Sequence, residues 1–431
     1  MHILLLSKEI VTLLYNQSLI KNKSIVTLIN NIPCFGVDYL EKVIHWSFLF
    51  YPHLGGLSTH ISSIVNNTQE FEHEVVTNRI PNTPLIEKYS ANTTIKRFNP
   101  PDIYHFPEKR MRRRYSIPYG AYSEVLRTYN QKNYFRKSCF DVLHVHETNK
   151  NLVTVDMALG TNLFSKISLK MYDLRKLRKP LLLTKHSLMV DGHHHPKLIE
   201  WDYKLTSQFD NIICVDRRIY DSLTSYFEST NQKKKLHLIP NGIDLHKFTY
   251  ADPVYGDKLK VGIAGRLSYE TGQNFIAEFL QFLPEFVEVH WACSENNLRI
   301  ENLKSSVNNS AVHIYPNVNY DSMPDFYHNI DVLLNPLEFT YNVSRVTLES
   351  MACGRPVIMF PGSRYPLIHG ENGVIVEKDI GALISLMSEL AFDRIQLYTM
   401  GKESRRIIEK EFATEILIPK IGQIYRKLSD N

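Results

Sequence analysis

The feature that most constrains this sequence is a repeated alternation of short apolar runs with amphipathic helical stretches. In the first half the apolar runs are KVIHWSFLF, HEVVT, DVLHVHE, PLLLTKHS, NIICVD and KLHLIP. After Pro240 the pattern restarts with KLKVGIAGRL, VEVHWAC, AVHIYP, DVLLNP, PVIMF and GVIVE. Near-continuous apolar strands that alternate with helices are typical of parallel sheets covered on both faces. Two such series predict an α/β protein with two doubly wound, Rossmann-like domains that face each other across a cleft.

The length of the chain, 431 residues, also favours two domains over a single core. We expect an N-terminal extension or peripheral element at 1–40, an N-terminal Rossmann-like domain at 41–240, a linker at 241–258, a C-terminal domain at 259–410 and a C-terminal helix at 411–431. That helix is amphipathic, is expected to break at Pro419, and is expected to pack back on the first domain.

Composition and charge exclude several classes of protein. Hydrophobic residues make up 43% of the chain and charged residues 22%, which is usual for a globular protein, and the apolar runs are too short to span a bilayer. Five cysteines without a CxxC pattern predict reduced thiols and a cytoplasmic location. The basic segment Lys109–Arg114 is either a solvated loop or a peripheral contact with the inner face of a membrane. We expect no nucleic-acid partner, because no motif for one is present.

Candidate binding residues stand where predicted strands end, because ligands of open α/β sheets lie beyond the carboxyl ends of the strands. Gly55 and Gly56 follow the first strand and open a helix, so they form either a plain tight turn or an approach for phosphate or sugar oxygens. His144 and His146 alternate along one strand and point to one face. His146 is nearer the carboxyl end and is the better candidate for ligand contact, the alternative being a core histidine.

Two arginines are candidates for binding an anion. Arg266 ends the first strand of the second series, and its guanidinium suits a diphosphate. Arg345 opens a helix although a cation is mildly unfavourable at a helix N-terminus, which suggests an anion in front of it. The alternative for Arg345 is a surface side chain weakly bonded to Glu349. Asp-X-Asp does not occur in the sequence, so we predict no metal ion in the cleft.

Several segments, taken in order, resemble the glycosyltransferases of family 4, which have the GT-B fold. FLFYPHLGGLSTHI is similar to the N-terminal glycine turn of that family, and DVLHVHE to its central strand with a histidine at the end. LIPNGIDLHKF resembles the inter-domain hinge and VGIAGRLSYETG the phosphate-binding segment. VTLESMACGRPVI and HGENGVIVE resemble the nucleotide-binding helix and the loop beyond it. The resemblance runs from about Lys42 to the C-terminus.

The resemblance implies a transferase that moves a hexosyl or N-acetylhexosaminyl group from a nucleoside-diphosphate sugar, with retention and without a cofactor. It implies that His146 contacts the donor sugar and that Glu349 accepts hydrogen bonds from the donor's ribose. The acceptor would be a hydroxyl of a glycan, a lipid-linked chain or a protein, in glycan, cell-envelope or glycolipid biosynthesis.

The sequence departs from the family pattern at two positions. Thr271 stands where the family usually carries a lysine, and Tyr341 stands where it usually carries a glutamate, with Glu338 three residues out of register. Arg345 is expected to supply the charge that Thr271 lacks. The departures leave open a non-catalytic accessory subunit, and a sugar-nucleotide epimerase of the same fold is a further alternative. The predicted site comprises His146 as catalytic residue and, for the donor, Gly55, Gly56, Arg266, Thr271, Arg345 and Glu349.

Overall fold

The computed structural model describes residues 40–430 except 53–54, 99–124, 149–165, 168, 171–172, 189–194, 267–271, 295–309, 338–343 and 363–364. Predictions for residues 1–39, for the basic segment Lys109–Arg114 and for Thr271 therefore lie outside the described residues.

The first half of the chain forms eight strands with helices between them. Its elements are β1 Lys42–Trp46, α1 Gly56–Asn67, β2 Glu72–Asn78, β3 Ile86–Ser90, β4 Thr93–Phe98, α2 at 125–137, β5 Val142–His146, β6 Leu181–Lys185, α3 Pro196–Thr206, β7 Asn211–Cys214, α4 Arg217–Ser229 and β8 Lys235–Leu238. The strands form one sheet in the order β3-β4-β2-β1-β5-β6-β7-β8. β3 pairs antiparallel with β4, and the other neighbours in this sheet pair parallel.

The second half forms a parallel sheet of six strands. Its elements are β9 Leu259–Arg266, α5 Gln273–Phe279, β10 Val287–Ser294, β11 Val312–Pro316, α6 Met323–His328, β12 Val332–Leu334, α7 Arg345–Ala352, β13 Val357–Met359, β14 Gly373–Ile375, α8 Ile380–Phe392, α9 Arg394–Glu411 and α10 Thr414–Ser429. The strand order is β11-β10-β9-β12-β13-β14, and every described neighbour pair is parallel.

Both sheets are covered on both faces, as their apolar runs predict. Val43 and Ile44 are adjacent in β1, point to opposite faces, and are each fully buried in a different apolar cluster. Leu333 and Leu334 of β12 show the same division in the second sheet. The predicted α/β fold with two Rossmann-like halves is therefore confirmed.

Helix α10 returns from the second half to the first sheet. Its apolar stripe, which includes Leu417, Ile421 and Tyr425, packs with Val43 and Val142 in one buried cluster. The break expected at Pro419 does not occur, since α10 runs from Thr414 to Ser429 with this proline inside it. Proline removes one backbone hydrogen bond, and the burial of the helix on both sides of it holds the two parts together. The domain boundaries given above stay predictions.

The chain passes from the first half to the second at 241–243, next to the point where it returns before α10. The backbone N–H of Ile243 donates to the carbonyl of Phe412 at 2.8 Å, and the N–H of Thr414 donates to the carbonyl of Ile243 at 3.0 Å. The two crossing segments thus lie side by side as a short parallel bridge.

Candidate functional site

The carboxyl end of β1 leads to the start of α1, where two glycines stand together. Gly55 has an extended backbone with φ 176°, a conformation that any residue adopts, so backbone freedom does not explain its presence. Gly56 is the first helical residue, and a Cβ there would lie 3.7 Å from Cδ of Arg345. Gly56 is therefore where α1 of the first half meets α7 of the second.

His146, the predicted catalytic residue, ends β5 and is fully buried. It belongs to a line of histidine rings across neighbouring strands. Its Nε2 lies 3.0 Å from Nδ1 of His45, and Nε2 of His45 lies 3.0 Å from Nδ1 of His73. Nε2 of His73 lies 2.9 Å from the backbone carbonyl of Thr68. Strand order β2-β1-β5 places the three histidines side by side.

The hydrogen bonds of this line determine the protonation of His146. Burial lowers the pKa of all three histidines, so each ring is neutral near pH 7 and carries one N–H. A carbonyl only accepts, so His73 must donate from Nε2 and accept at Nδ1. His45 must then donate from Nε2, and His146 must donate from Nε2 to His45. His146 therefore holds an unprotonated Nδ1, and this buried atom has no hydrogen-bond partner among the described residues.

His144, two residues earlier, has its two ring nitrogens engaged inside the protein. Nδ1 lies 2.7 Å from the hydroxyl of Tyr425 in α10, and Nε2 lies 2.6 Å from Oγ1 of Thr184. Its contacts therefore connect β5 to β6 and to the returning helix, which is a structural role.

Two further histidines surround His146. His60 of α1 and His186, just after β6, have ring centroids 5.8 Å and 6.2 Å from that of His146. Nε2 of His60 and Nε2 of His186 are buried and, like Nδ1 of His146, have no hydrogen-bond partner in the described part of the chain. Burial lowers the pKa of His60 well below its usual value, and the positive charge of neighbouring Arg345 lowers it further.

A buried ion cluster positions the loop that carries His186. Lys185, the last residue of β6, donates to Glu147 and, at 2.8 Å, to Asp202. Glu147 has a left-handed backbone with φ 69°, and its Oε2 accepts the backbone N–H groups of His186 and Ser187 at 2.9 Å each. Burial alone would lower the pKa of Lys185, but the two carboxylates raise it, so the lysine stays charged. The strand ends of β5 and β6 are fixed to each other by this cluster.

On the opposite side, Arg345 begins α7 and extends toward α1. Its Nη2 donates to the hydroxyl of Tyr320 at 2.7 Å, and its Nε lies 3.5 Å from Oε1 of Glu349. The side chain is 17% exposed, which contradicts the alternative of a surface arginine. Arg345 thus lies beside Gly56, and its charge acts on His60.

Glu349 is held inside the second half. Its Oε2 accepts from the hydroxyl of Tyr327 at 2.9 Å, and its side chain is 5% exposed. Burial raises its pKa, while Arg345 and the hydroxyls of Tyr327 and Tyr320 oppose that rise. A ribose would reach this carboxylate only by replacing one of these contacts, so its predicted role stays a prediction.

Of the remaining predicted residues, Thr271 lies outside the described part of the chain and Arg266 belongs to β9. Arg266 is the last residue of β9, and the position of its side chain is not described. Gly272 follows with φ 73°, and a Cβ there would lie 2.1 Å from the carbonyl oxygen of Pro336. Only glycine fits this close approach between the start of α5 and the residues that follow β12.

The structure brings together Gly56, His146, Arg345 and Glu349, and it adds residues that sequence reasoning missed: His45, His60, His73, His186, Tyr320 and Tyr327. His60 and His186 carry a signal that could have been used, because one stands in the first turns after the glycine pair and the other directly follows an apolar strand. The two tyrosines carry none, since their contacts depend on how α6 and the turn before it pack on α7.

Comparison with known proteins agrees with this architecture. Residues 54–247 match the family described as Glycosyltransferase Family 4, and residues 258–393 match the family described as Glycosyl transferases group 1. The chain belongs to the family 4, group 1 glycosyltransferases. Its fold is GT-B, and its activity is glycosyl transfer.

Relatives of this glycosyltransferase span nearly all of it at low identity. An uncharacterized glycosyltransferase of Methanocaldococcus jannaschii is 18% identical over 90% of this chain and 98% of its own. Sucrose-phosphate synthase from Thermosynechococcus elongatus superposes with a TM-score of 0.67 at 18% identity, over 90% of this chain and 99% of its own. The Anabaena protein HepE, in complex with UDP and glucose, superposes with a TM-score of 0.64 at 14% identity, over 90% of this chain and 100% of its own. None of the helices in the described part of the chain has the length and apolar character needed to cross a bilayer.

Proposed function

We propose that this glycosyltransferase moves a hexosyl or N-acetylhexosaminyl group from a nucleoside-diphosphate sugar to an acceptor hydroxyl, with retention and without a metal ion or other cofactor. The observation that carries the proposal is the place of Arg345. The largely buried side chain of Arg345, at the start of α7, lies beside Gly56 at the start of α1, where a Cβ on Gly56 would be 3.7 Å from its Cδ. Two helix N-termini and one fixed positive charge meet there, which is an environment suited to a diphosphate.

Within the described residues, the N-termini of α1 and α7 carry no side-chain cap. Neither Gly55 nor Ser344, the residues that precede α1 and α7, caps its helix with a side-chain hydrogen bond. The backbone N–H groups of a first helical turn lack partners within the helix, and a phosphate oxygen satisfies them. The similarity to HepE, which was solved with UDP and glucose, supports a nucleotide donor of the same kind.

The histidines indicate where the sugar of the donor would bind. Nδ1 of His146 is an unprotonated, buried acceptor, so it suits a hydroxyl group of the donor sugar and would repel a bare anion. The diphosphate therefore belongs on the Arg345 side of the cleft and the sugar on the His146 side. His60 lies between His146 and Arg345 and separates the two regions.

In the proposed reaction the bond between the anomeric carbon and the diphosphate breaks, and the acceptor hydroxyl attacks on the same face. The hydroxyl proton passes to the leaving phosphate, so no protein base is required. Arg345, with Arg266 at the end of β9, neutralises the charge that develops on the leaving group. The protein thus contributes positioning and electrostatic stabilisation. The two arginines neutralise the diphosphate in place of a bridging metal ion. The acceptor is a hydroxyl in glycan, cell-envelope or glycolipid biosynthesis.

A donor screen tests this proposal. Each UDP-, GDP- and ADP-sugar is added to the full-length protein, and its melting temperature is measured, since a ligand at a hundred times its Kd adds about 2.7 kcal/mol to stability. A donor that stabilises the protein is then supplied with acceptor mixtures, and NMR of the product reports the anomeric configuration. EDTA should leave turnover unchanged.

Four outcomes would contradict the proposal. A product of inverted configuration would exclude the retaining mechanism, and loss of turnover in EDTA that manganese or magnesium restores would exclude metal independence. Donor binding without turnover would indicate an accessory subunit, and release of an altered sugar without any acceptor would indicate an epimerase.

A further inference from the structure

A second cluster of metal-ligand residues lies on the second sheet, on strands β10 and β11 rather than on the helices that form the cleft. His290 of β10 and His313 of β11 are direct partners in the parallel register. Glu288 precedes His290 by two residues, so its side chain points to the same face of the sheet. Three residues of the type that binds transition metals therefore project from two neighbouring strands.

Their ligand atoms converge on one place. Oε1 of Glu288 lies 2.9 Å from Nε2 of His313 and 3.0 Å from Nε2 of His290, and the ligand atoms of all three residues lie within 4.8 Å of one another. Zinc binds nitrogen and carboxylate oxygen at about 2.0–2.2 Å, so ligands of one ion are about 3–3.5 Å apart. The two distances from Glu288 match that separation. A small movement of the two imidazoles brings their nitrogen atoms to the same separation from each other.

The orientation of His290 favours a shared ion over a hydrogen bond. Its Nε2 is buried and forms no hydrogen bond with any described residue, although it lies 3.0 Å from a carboxylate oxygen. In a hydrogen bond the N–H points at the oxygen, whereas ligands of one metal point at a third position between them. The separation of Nε2 of His290 from Oε1 of Glu288 is therefore that of two ligands of one ion.

The other nitrogen of His290 has the partner that metal-binding histidines usually have. Nδ1 lies 3.0 Å from the hydroxyl of Tyr315, which stands two residues after His313 on the same face of β11. A hydrogen bond from Nδ1 to an oxygen fixes the tautomer that leaves Nε2 free to bind a metal. Tyr315 is therefore the outer partner of this cluster.

We propose that Glu288, His290 and His313 form a binding site for a divalent transition-metal ion of the zinc type. The side chains of His290, Glu288 and His313 are 11%, 25% and 43% exposed, so an ion can enter and water can fill the remaining coordination positions. The bound ion would join β10 to β11, the outermost strand of this sheet. The sequence analysis predicted no metal ion in the cleft, and this site does not change that prediction because its residues take no part in the cleft.

The test is a zinc titration of the full-length protein after treatment with EDTA and removal of the chelator. Calorimetry and competition with a chromophoric chelator give the number of ions and the Kd, and Co²⁺ absorption reports the ligands. We expect His313→Ala to abolish one equivalent of tight binding. Tyr315→Phe should weaken that equivalent by about 10- to 100-fold, as losses of outer partners usually do. His313 is on the surface, so its removal should leave the fold intact.

Two controls make the result decisive. His246 is an exposed histidine 3.6 Å from a single carboxylate, that of Glu415, and His246→Ala should leave zinc binding unchanged. Lys260 pairs in register with Glu288 from β9, and its positive charge opposes a cation there, so Lys260→Gln should tighten binding. The proposal is overturned if His313→Ala binds zinc like the wild type, or if binding is lost in His186→Ala instead, because the ion would then occupy the histidines of the cleft.

Discussion

The rings of His45 and His146 stack with centroids 5.3 Å apart, and Nδ1 of His45 lies 3.0 Å from Nε2 of His146. This contact is the last in a series of hydrogen bonds that begins at the backbone carbonyl of Thr68. The carbonyl determines the tautomer of His73, His73 determines that of His45, and His45 determines that of His146. The result is an acceptor nitrogen at the end of β5. His45 and His73 are therefore positioning residues, although neither faces the cleft itself.

His45→Phe should release His146 from this constraint. The ring of His146 would then exchange between tautomers, and kcat should fall roughly five- to tenfold, the worth of one neutral hydrogen bond. His45→Gln retains one donor and one acceptor and should restore part of the loss. Nitrogen NMR of the ring reports the tautomer directly, and a protonated Nδ1 on His146 in the wild type would show that the assignment is wrong.

Substitution of the two histidines of β5 should have different effects. His146→Ala should lower kcat about a hundredfold with a smaller change in donor affinity, because a reacting sugar displaced by a fraction of an ångström reacts slowly. His144→Ala should instead lower the free energy of unfolding by about 2–4 kcal/mol, since it leaves a cavity and removes partners of Tyr425 and Thr184. Kinetics and urea unfolding of both variants make the comparison. Equal losses of activity in both, corrected for the folded fraction, would refute the distinction between them.

Arg345 should matter for the phosphates of the donor and not for its nucleoside. Arg345→Gln keeps a donor near the Tyr320 hydroxyl but removes the positive charge, and affinity for a nucleoside diphosphate should fall about ten- to a hundredfold. The nucleoside is the control ligand, because it lacks the phosphates, and Arg345→Lys should retain most of the affinity. Calorimetry with both ligands measures the effect. If both ligands lose affinity equally, Arg345 only holds Glu349 and α7 in place.

Strand-forming segments could be predicted from the sequence wherever burial makes them apolar. KVIHW and DVLHVHE become β1 and β5, whereas IEKYS, which forms β3, was missed because this edge strand is half exposed and lacks a buried run. Its formation depends on pairing with β4, which local sequence does not specify.

The histidine line could not be predicted for a different reason. His45, His73 and His146 lie far apart in the sequence, and each is an ordinary core candidate by itself. They touch because the strand order is β2-β1-β5 and because the register sets His45 beside the rings of its neighbours. Glu349 illustrates the same limit, since its position on α7 was predicted but its enclosure by Tyr327 depends on the packing of α6.

The same histidines should make the protein sensitive to mild acid. Burial, before any other cause, lowers the pKa of His45, His60, His144 and His146 well below the usual 6.5. Below pH 6.5 these histidines bind protons in the unfolded chain but not in the folded chain. Their contribution to the free energy of unfolding is therefore fully present above that pH and is lost as the pH falls. For each such histidine the slope approaches about 1.4 kcal/mol per pH unit once the pH is well below 6.5, and the loss between pH 7.5 and 5.5 is about 1.4 kcal/mol in total.

Urea unfolding between pH 7.5 and 5.5 measures this slope. The range avoids lower pH, where the carboxyl of Glu349, whose pKa burial raises, works in the opposite direction. His45→Phe removes one of the groups and should reduce the loss of free energy of unfolding between pH 7.5 and 5.5 by about 1.4 kcal/mol. His246→Gln replaces an exposed histidine and should leave the slope as it is in the wild type. A free energy of unfolding that stays constant over this range would mean that the buried histidines take up protons in the folded protein as readily as in the unfolded chain, which would contradict their lowered pKa.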